Sequence, residues 1–404
     1  MGSLTAAEKG EARPEFVVLV AFMISLVALS IDAMLPALPA IASELAARRD
    51  NDRQLVISAL FLGLAAAQMV YGPLSDSFGR KNTIYAGIWL FIAGCCISIF
   101  APTFDLMLLG RFLQGAGAAA PRVVSVAMVR DLYQGRAMAR VMSLTMTVFI
   151  LVPVFAPLLG QLVLEVAPWR AIFVLLLVLA VGVLLWFWRR QAETLPRERR
   201  APFSLLRIGR AIVETCTNRV AFGYTLAAGF MFGAFVGYLN SSQQIFQDLY
   251  RQGDLFPVYF GALALSIGVS SALNARLVMR LGMRYLCNLA LRVLVAASLV
   301  FALVTVLAAG IPPLAVVVAY LLVCFFCVGV LFGNFNALAM EPLGHIAGVA
   351  SAVIGSLTTF VSLTLGTVIG AHFDGTLFPL AFGFAALGVA SIATVYWTER
   401  RRPT

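Results

Sequence analysis

The sequence predicts an all-α membrane protein of twelve transmembrane helices arranged as two six-helix halves. Three observations carry that prediction. The 404 residues are 61% hydrophobic and only 12% charged, about half the charged share of a soluble domain. The apolar residues fall in runs of about 20, the length a helix needs to cross the hydrocarbon core; a barrel would show alternating segments of about 10. Lys and Arg alternate between the two sets of loops, with roughly 20 on one side against 5 on the other. The rich side holds Lys9, Arg13, Arg80, Lys81, Arg130, Arg136, Arg140, a cluster over 189–210, Arg276, Arg280, Arg284 and Arg400 to Arg402. The poor side holds Arg48, Arg49, Arg53, Arg170 and Arg251. One misplaced span would scramble this pattern, so both termini are expected in the cytoplasm.

The predicted spans are 16–36, 54–74, 83–100, 104–129, 138–163 and 169–188, then 220–241, 257–278, 285–308, 313–340, 346–371 and 377–397. The first contains Asp32 and is followed by Ala40-Ile41-Ala42, which looks like a signal-peptidase site. Its apolar run is too long for a signal peptide, so it reads as a retained helix. Between the sixth and seventh spans lies a polar stretch with the core RRQAETLPRERR, holding Pro196, with Pro202 just beyond. It divides the chain into a bundle over 1–188, a cytoplasmic linker over 189–218 and a second bundle over 219–404.

The net charge of +10 would suggest nucleic acid in a soluble protein. Here the cations sit between apolar runs and set topology, so no nucleic-acid partner is expected. Five of the six cysteines, including the pair Cys324-x-x-Cys327, fall in or at the edge of apolar runs, where a reactive thiolate is disfavoured. No cluster has metal-ligand spacing, and no cofactor is expected. His345 and His372 lie in loops with no visible nucleophile beside them, so the chain is not read as an enzyme.

The fourth span is the most informative. It carries Arg111 and Arg122 inside an apolar run, and an ionisable group at that depth costs about 3 kcal/mol on insertion scales, which marks a functional site. Gly115, Gly117 and Ala118 to Ala120 give it a smooth face for close helix packing. Eleven residues bring Arg122 almost to the same face as Arg111, about 16 Å nearer the cytoplasm. Arg122 either lines a cavity, which would favour an anionic or zwitterionic substrate, or reaches toward the cytoplasmic surface. Asn240, Asn334 and Asn336 are polar groups in apolar runs, fit for a substrate cavity or for helix–helix hydrogen bonds.

Two motifs bring a resemblance. Gly72-Pro73-Leu74-Ser75-Asp76-Ser77-Phe78-Gly79-Arg80-Lys81, read as a tight cytoplasmic turn, resembles the signature loop of the major facilitator superfamily; Ser77 stands where the family usually has Arg. Leu109-Gly110-Arg111-Phe112-Leu113-Gln114-Gly115-Ala116-Gly117-Ala118 resembles that family's fourth-helix motif. In the fifth span Pro153-Val154-Phe155-Ala156-Pro157-Leu158-Leu159-Gly160, then Trp169-Arg170-Ala171-Ile172-Phe173, resemble the bicyclomycin/chloramphenicol-resistance-type branch of drug:proton antiporters. So do Met340-Glu341-Pro342 and Asp32 in Ser30-Ile31-Asp32-Ala33-Met34-Leu35-Pro36. A faded copy of the signature loop, Ala275 to Arg284 with Met279 in place of Asp76, marks the internal repeat, and without the acid this second loop is expected to carry less of any gating charge cluster.

The resemblance implies the major facilitator fold and a proton-coupled exporter of small amphipathic drugs, monomeric, in a bacterial inner membrane. Its partners would be a small-molecule substrate, protons and lipid. It implies proton coupling at Asp32 and Arg111, with Arg111 pairing with Asp32 or polarising the site. It implies a gating cluster of Asp76, Arg80 and Asp131. The residues themselves offer a substrate cavity touched by Gln114, Arg122, Asn240, Asn334 and Asn336, with Gln114, one turn from Arg111, bonding either substrate or Arg111. A siderophore or anionic-metabolite transporter of the same fold is the alternative.

Overall fold

A computed structural model describes residues 14–400, apart from the side chains at 135, 136, 139 and 205. Lys9, Arg13, Arg401, Arg402 and the Arg136 side chain, counted above among the basic loop residues, lie outside that description. The described residues are helical, with no strand. Eleven stretches are long and apolar enough to cross a membrane; one of them, 58 residues long, contains two helices.

The first half comprises α1 (Pro14–Asp32), the short α2 (Leu38–Glu44), α3 (Leu55–Phe78), α4 (Arg80–Ile99), α5 (Phe104–Leu132), α6 (Gly135–Val166) and α7 (Arg170–Arg190). The connection contains α8 (Leu205–Thr217). The second half comprises α9 (Arg219–Gln243), α10 (Phe256–Leu281), α11 (Met283–Leu307), α12 (Leu314–Met340), α13 (Ala347–Ala371) and α14 (Phe378–Glu399). Every predicted span corresponds to a helix, because apolar length decides both.

The differences are local. The first span is broken, giving α1 and α2 with a 3₁₀ turn (Leu35–Ala37) between them. The signature loop is mostly helix: α3 runs through Asp76 to Phe78, α4 starts at Arg80, and Gly79 at φ 96° is the single joint. Gly282 at φ 80° joins α10 to α11 in the same way. Only glycine takes that backbone without strain.

The linker is not one polar loop. Residues 191–201 fold onto the first half, where the Ala201 amide donates to the Asp76 carbonyl (3.1 Å). α8 packs instead on α9 and α13 of the second half. It was missed because a 13-residue helix is too short to register as a span. Ser204 caps its start, and its apolar and polar residues segregate on opposite faces.

Small residues set the first half's packing. A side chain at Gly115 would fall on the Leu60 carbonyl of α3, and one at Gly117 on the backbone of α4 at Phe91. The halves meet through α3 against α13 and α6 against α10, a two-fold arrangement of equivalent helices.

Candidate functional site

Asp32 is the last residue of α1. Proline lacks an N–H, so Pro36 cannot donate to the Asp32 carbonyl and the helix ends there. Ala33 N still bonds the Leu29 carbonyl (3.1 Å), and Ala37 N then bonds Met34 in the tighter turn (2.9 Å). The Asp32 side chain is 5% exposed. It forms no ion pair or hydrogen bond among the described residues.

Arg111 is fully buried on α5. It does not pair with Asp32, which removes the first of the two expected roles. Its Nη2 donates to the Ser30 carbonyl (2.9 Å), its Nε to the Val56 carbonyl (3.1 Å), and its Nη1 to Gln114 Oε1. The guanidinium also lies 5.7 Å from the Phe173 ring centroid. The break in α1 leaves the Ser30 carbonyl without a helical partner, and Arg111 fills that place. Each of the three guanidinium nitrogens donates once, in a different direction, using three of its five N–H groups.

Gln114 is fully buried. Its Nε2 points at Cys95 Sγ (3.4 Å) and Ser98 Oγ (3.5 Å) on α4, because it must receive Arg111 on its other end. Arg122 is half-buried and has no hydrogen-bond or ion-pair partner among the described residues. It lies 18 residues from Phe104 and 10 from Leu132, near the middle of α5.

The three asparagines are not brought together. Asn240 donates to the Gly366 carbonyl of α13 (3.3 Å). Asn334 exchanges amide bonds with Asn274 of α10 (2.9 and 3.3 Å). Asn336 bonds the Phe332 carbonyl in its own helix (3.0 Å). Each bond is one that holds helices or the local backbone.

Asp76, Arg80 and Asp131 do meet. Arg80 reaches Asp76 Oδ1 (2.5 Å) and Asp131 Oδ2 (2.9 Å). The cluster ties α3, α4 and α5 within one half; among the described residues it does not bond the other half.

Sequence reasoning missed three groups. Glu193 accepts from the backbone N–H of Arg80 (3.0 Å) and Lys81 (3.1 Å) at the start of α4, where a carboxylate is favoured. Its neighbour Thr194 donates to Asp131 (3.0 Å). The acids in a mostly basic linker, Glu193 and Glu198 in its core and Glu214 further on, were the available signal. The second half has a cluster of its own, to which the loop around Met279 contributes Arg284 and no acid. Arg284 pairs with Glu341 (2.5 Å) and Glu399 (3.3 Å). The acids come from the ends of α12 and α14, so the lost loop acid is replaced. Third, a latch joins the halves on the face opposite the termini. Arg53 pairs with Asp248 (2.6 Å). Gln54 bonds Gln244 (2.5 Å) and the Gly370 carbonyl (2.9 Å). Asn51 bonds the Ala371 and Phe373 carbonyls (3.0 and 2.8 Å). A cleft of about 510 Å³ lies over these residues.

Two like helical halves, buried charges in the spans and a latch on one face define a class, the multi-pass membrane transporters. The chain belongs to the Major Facilitator Superfamily, whose family model matches residues 20–367. It is 30% identical over 389 residues to an uncharacterized MFS-type transporter, YdgK, of Bacillus subtilis, covering 94% of this chain and 96% of that one. It is 29% identical to a bicyclomycin resistance protein homolog of Haemophilus influenzae, covering 92% of each, and 30% identical to the multidrug resistance protein MdtL of Escherichia coli, covering 80% of each. The antiporter-branch resemblance seen in short motifs therefore extends along nearly the whole chain. Among solved structures, the human organic anion transporter MFSD10 superposes with a TM-score of 0.72 at 17% identity, over 96% of this chain and 100% of that one. A D-xylose-proton symporter gives 0.71 at 12%, over 95% and 96%. These two show the shared fold.

Proposed function

We propose that the protein exports small amphipathic compounds, antibiotics among them, from the bacterial cytoplasm in exchange for inward-moving protons. It would act as a monomer with twelve spans and both termini cytoplasmic. The face bearing the latch is then the outer one, and the structure is the form closed to the outside. The names of the relatives support the substrate class.

The observation that carries the proton-coupling reading is Asp32. It is a buried carboxylate with no cationic partner among the described residues, held at a helix break. A carboxyl in such a place binds and releases a proton within the physiological range. Protonation from outside would neutralise it and release substrate; deprotonation toward the cytoplasm would restore the binding site. Broken helices at membrane depth serve transporters in this way. Arg111 would act indirectly by fixing the end of α1, and so the carboxyl. Arg80 with Asp76 and Asp131 would serve the cytoplasmic gate. Arg122, half-buried ten residues short of the end of α5 and without a protein partner among the described residues, is best solvated by a water-filled cavity. The half-buried Phe232 and Phe235 on α9 offer that cavity an apolar wall. Of the residues expected to line it, Arg122 fits; Gln114, Asn240, Asn334 and Asn336 are better assigned to helix packing.

The test is efflux of ethidium and a panel of antibiotics in a pump-deficient bacterial host, with and without a protonophore. Export should collapse with the proton gradient, and Asp32→Asn should remove that dependence together with most of the flux. Export that ignores the protonophore would exclude antiport.

A further inference from the structure

The proposed cycle gives α8 no role, yet its placement is specific. Asn218, between α8 and α9, is extended (φ −74°, ψ 111°), and its side chain accepts from the Val220 and Ala221 amides (3.1 and 3.0 Å). α9 therefore starts afresh there, and α8 leaves it at an angle instead of extending it. From that corner α8 packs on α9 and α13. Glu214 meets His345 Nε2 (2.7 Å) in the turn between α12 and α13. The helix thus lies across the ends of neighbouring spans, at the level where they leave the hydrocarbon core.

The apolar arc of α8 is wider than the surface the bundle covers. At about 100° per residue, burial fades in order around the helix. Ala211 and Ile208 are buried, and Ile212 is half-buried. Cys216 comes next and is exposed. Val213 and Leu206 form the far edge and are 61% and 65% exposed. Beyond that edge the polar arc begins, with Arg210 and then Arg207, both exposed. Phe203, just before the cap, is a further uncovered apolar group. An aliphatic edge bordered by arginine suits a helix lying in a membrane interface, where the arginines reach up to phosphates. The chain ends are poor covers by composition. Residues 401–404 read RRPT, the same charge as Arg207 and Arg210, and residues 1–13 hold Met1 and Leu4 as their only large apolar groups.

We infer that the uncovered edge of α8 docks on the surface of an anionic lipid bilayer. Phe203, Leu206 and Val213 enter at the boundary of the acyl chains, and Arg207 and Arg210 meet headgroup phosphates. The inference rests on the proposed orientation only in assigning the dock to the cytoplasmic leaflet, whose surface is negatively charged. Each arginine near such a surface is worth about fivefold in binding, so the two together contribute about 25-fold. α8 packs on the second bundle and on none of the first bundle's helices. The dock therefore gives the second bundle a hold on the bilayer surface, against which the first can rock.

The experiment uses the full-length protein in lipid nanodiscs. Cys216 is exposed, Cys96 is half-buried and the other four cysteines are buried, so with Cys96→Ala a bimane label goes to Cys216. Lipids brominated along the acyl chain should quench that label about twofold more in phosphatidylglycerol discs than in phosphatidylcholine discs. Arg207→Gln with Arg210→Gln should remove the difference between the two lipids. Leu206→Gln with Val213→Gln should abolish most of the quenching in both. All four side chains are exposed, so both variants should fold, and an unchanged elution profile checks this. No quenching in either lipid, or quenching that ignores the headgroup, overturns the inference. If quenching follows the expectation while an impermeant maleimide reaches Cys216 from outside intact spheroplasts, the dock stands and the proposed orientation falls.

Discussion

Two arginines on one helix have opposite circumstances. Arg111 is fixed by two backbone carbonyls and an amide, whereas Arg122 has no partner among the described residues. Arg111→Ala would strand two buried acceptors, the Ser30 carbonyl and Gln114 Oε1, each costing about 1–3 kcal/mol, and would remove a second bond from the Val56 carbonyl. It should therefore lower the unfolding midpoint in detergent substantially, by about 3 kcal/mol or more in stability. Arg111→Lys should not rescue it, since an ammonium is a point donor without the planar fork. Arg122→Ala should leave the midpoint within about 0.5 kcal/mol of wild type and change what is exported, with compounds bearing an acidic group losing about tenfold in flux. Equal thermal losses in the two alanine variants would refute the distinction. The charges themselves were legible in the sequence, because Arg in an apolar run stands out. The partners of Arg111 were not. Backbone carbonyls carry no residue-type signal, and Ser30 is 81 positions away.

The broken first span determines where the carboxyl sits. Pro36 removes one donor and Pro39 another, so α1 cannot continue and the chain reaches Glu44 through a 3₁₀ turn and α2. Pro36→Ala restores an N–H facing the Asp32 carbonyl. It should lengthen α1 past Asp32, keep the fold and weaken coupling; the expected reading is at least a tenfold fall in protonophore-sensitive efflux at unchanged protein level. Wild-type efflux from that variant would mean the break has no role. Span positions were legible because twenty apolar residues announce themselves by length alone. The break was not, since prolines near a span end look the same in a helix that stops and in one that turns and resumes. α8 escaped notice for a related reason: an amphipathic helix averages to the hydropathy of a loop.

At the scale of the molecule, hydrogen bonds between the halves gather on the face opposite the termini, with Ser356 Oγ on the Ala65 carbonyl (2.6 Å) as an outlying one. The latch is modest. Arg53–Asp248 is partly exposed and worth about 0–1 kcal/mol, and each Gln54 bond adds about 1 kcal/mol. That suits a gate that must open in every cycle. Gln54→Ala should cost the closed form about 2 kcal/mol, a shift of about 30-fold toward opening. The check is faster labelling of a Ser58→Cys probe, which lies beneath the latch beside Thr367 (2.9 Å in the parent); unchanged labelling would discount the latch. The doubled plan was legible as a faded repeat. Its second charge cluster was not, because Glu341 and Glu399 come from helix ends far from Arg284 in sequence. The clamp of Glu193 on α4 has one more consequence. Together with Thr194 and Ala201 it makes the stretch to residue 201 a part of the first bundle, while α8 belongs to the second. The natural seam is therefore 202–204, well past the last residue of α7. Two co-expressed fragments divided there would each retain their own stitching, and a reporter domain inserted there would leave both intact. Division at residue 190 would separate the first bundle from the acid that closes its own charge cluster.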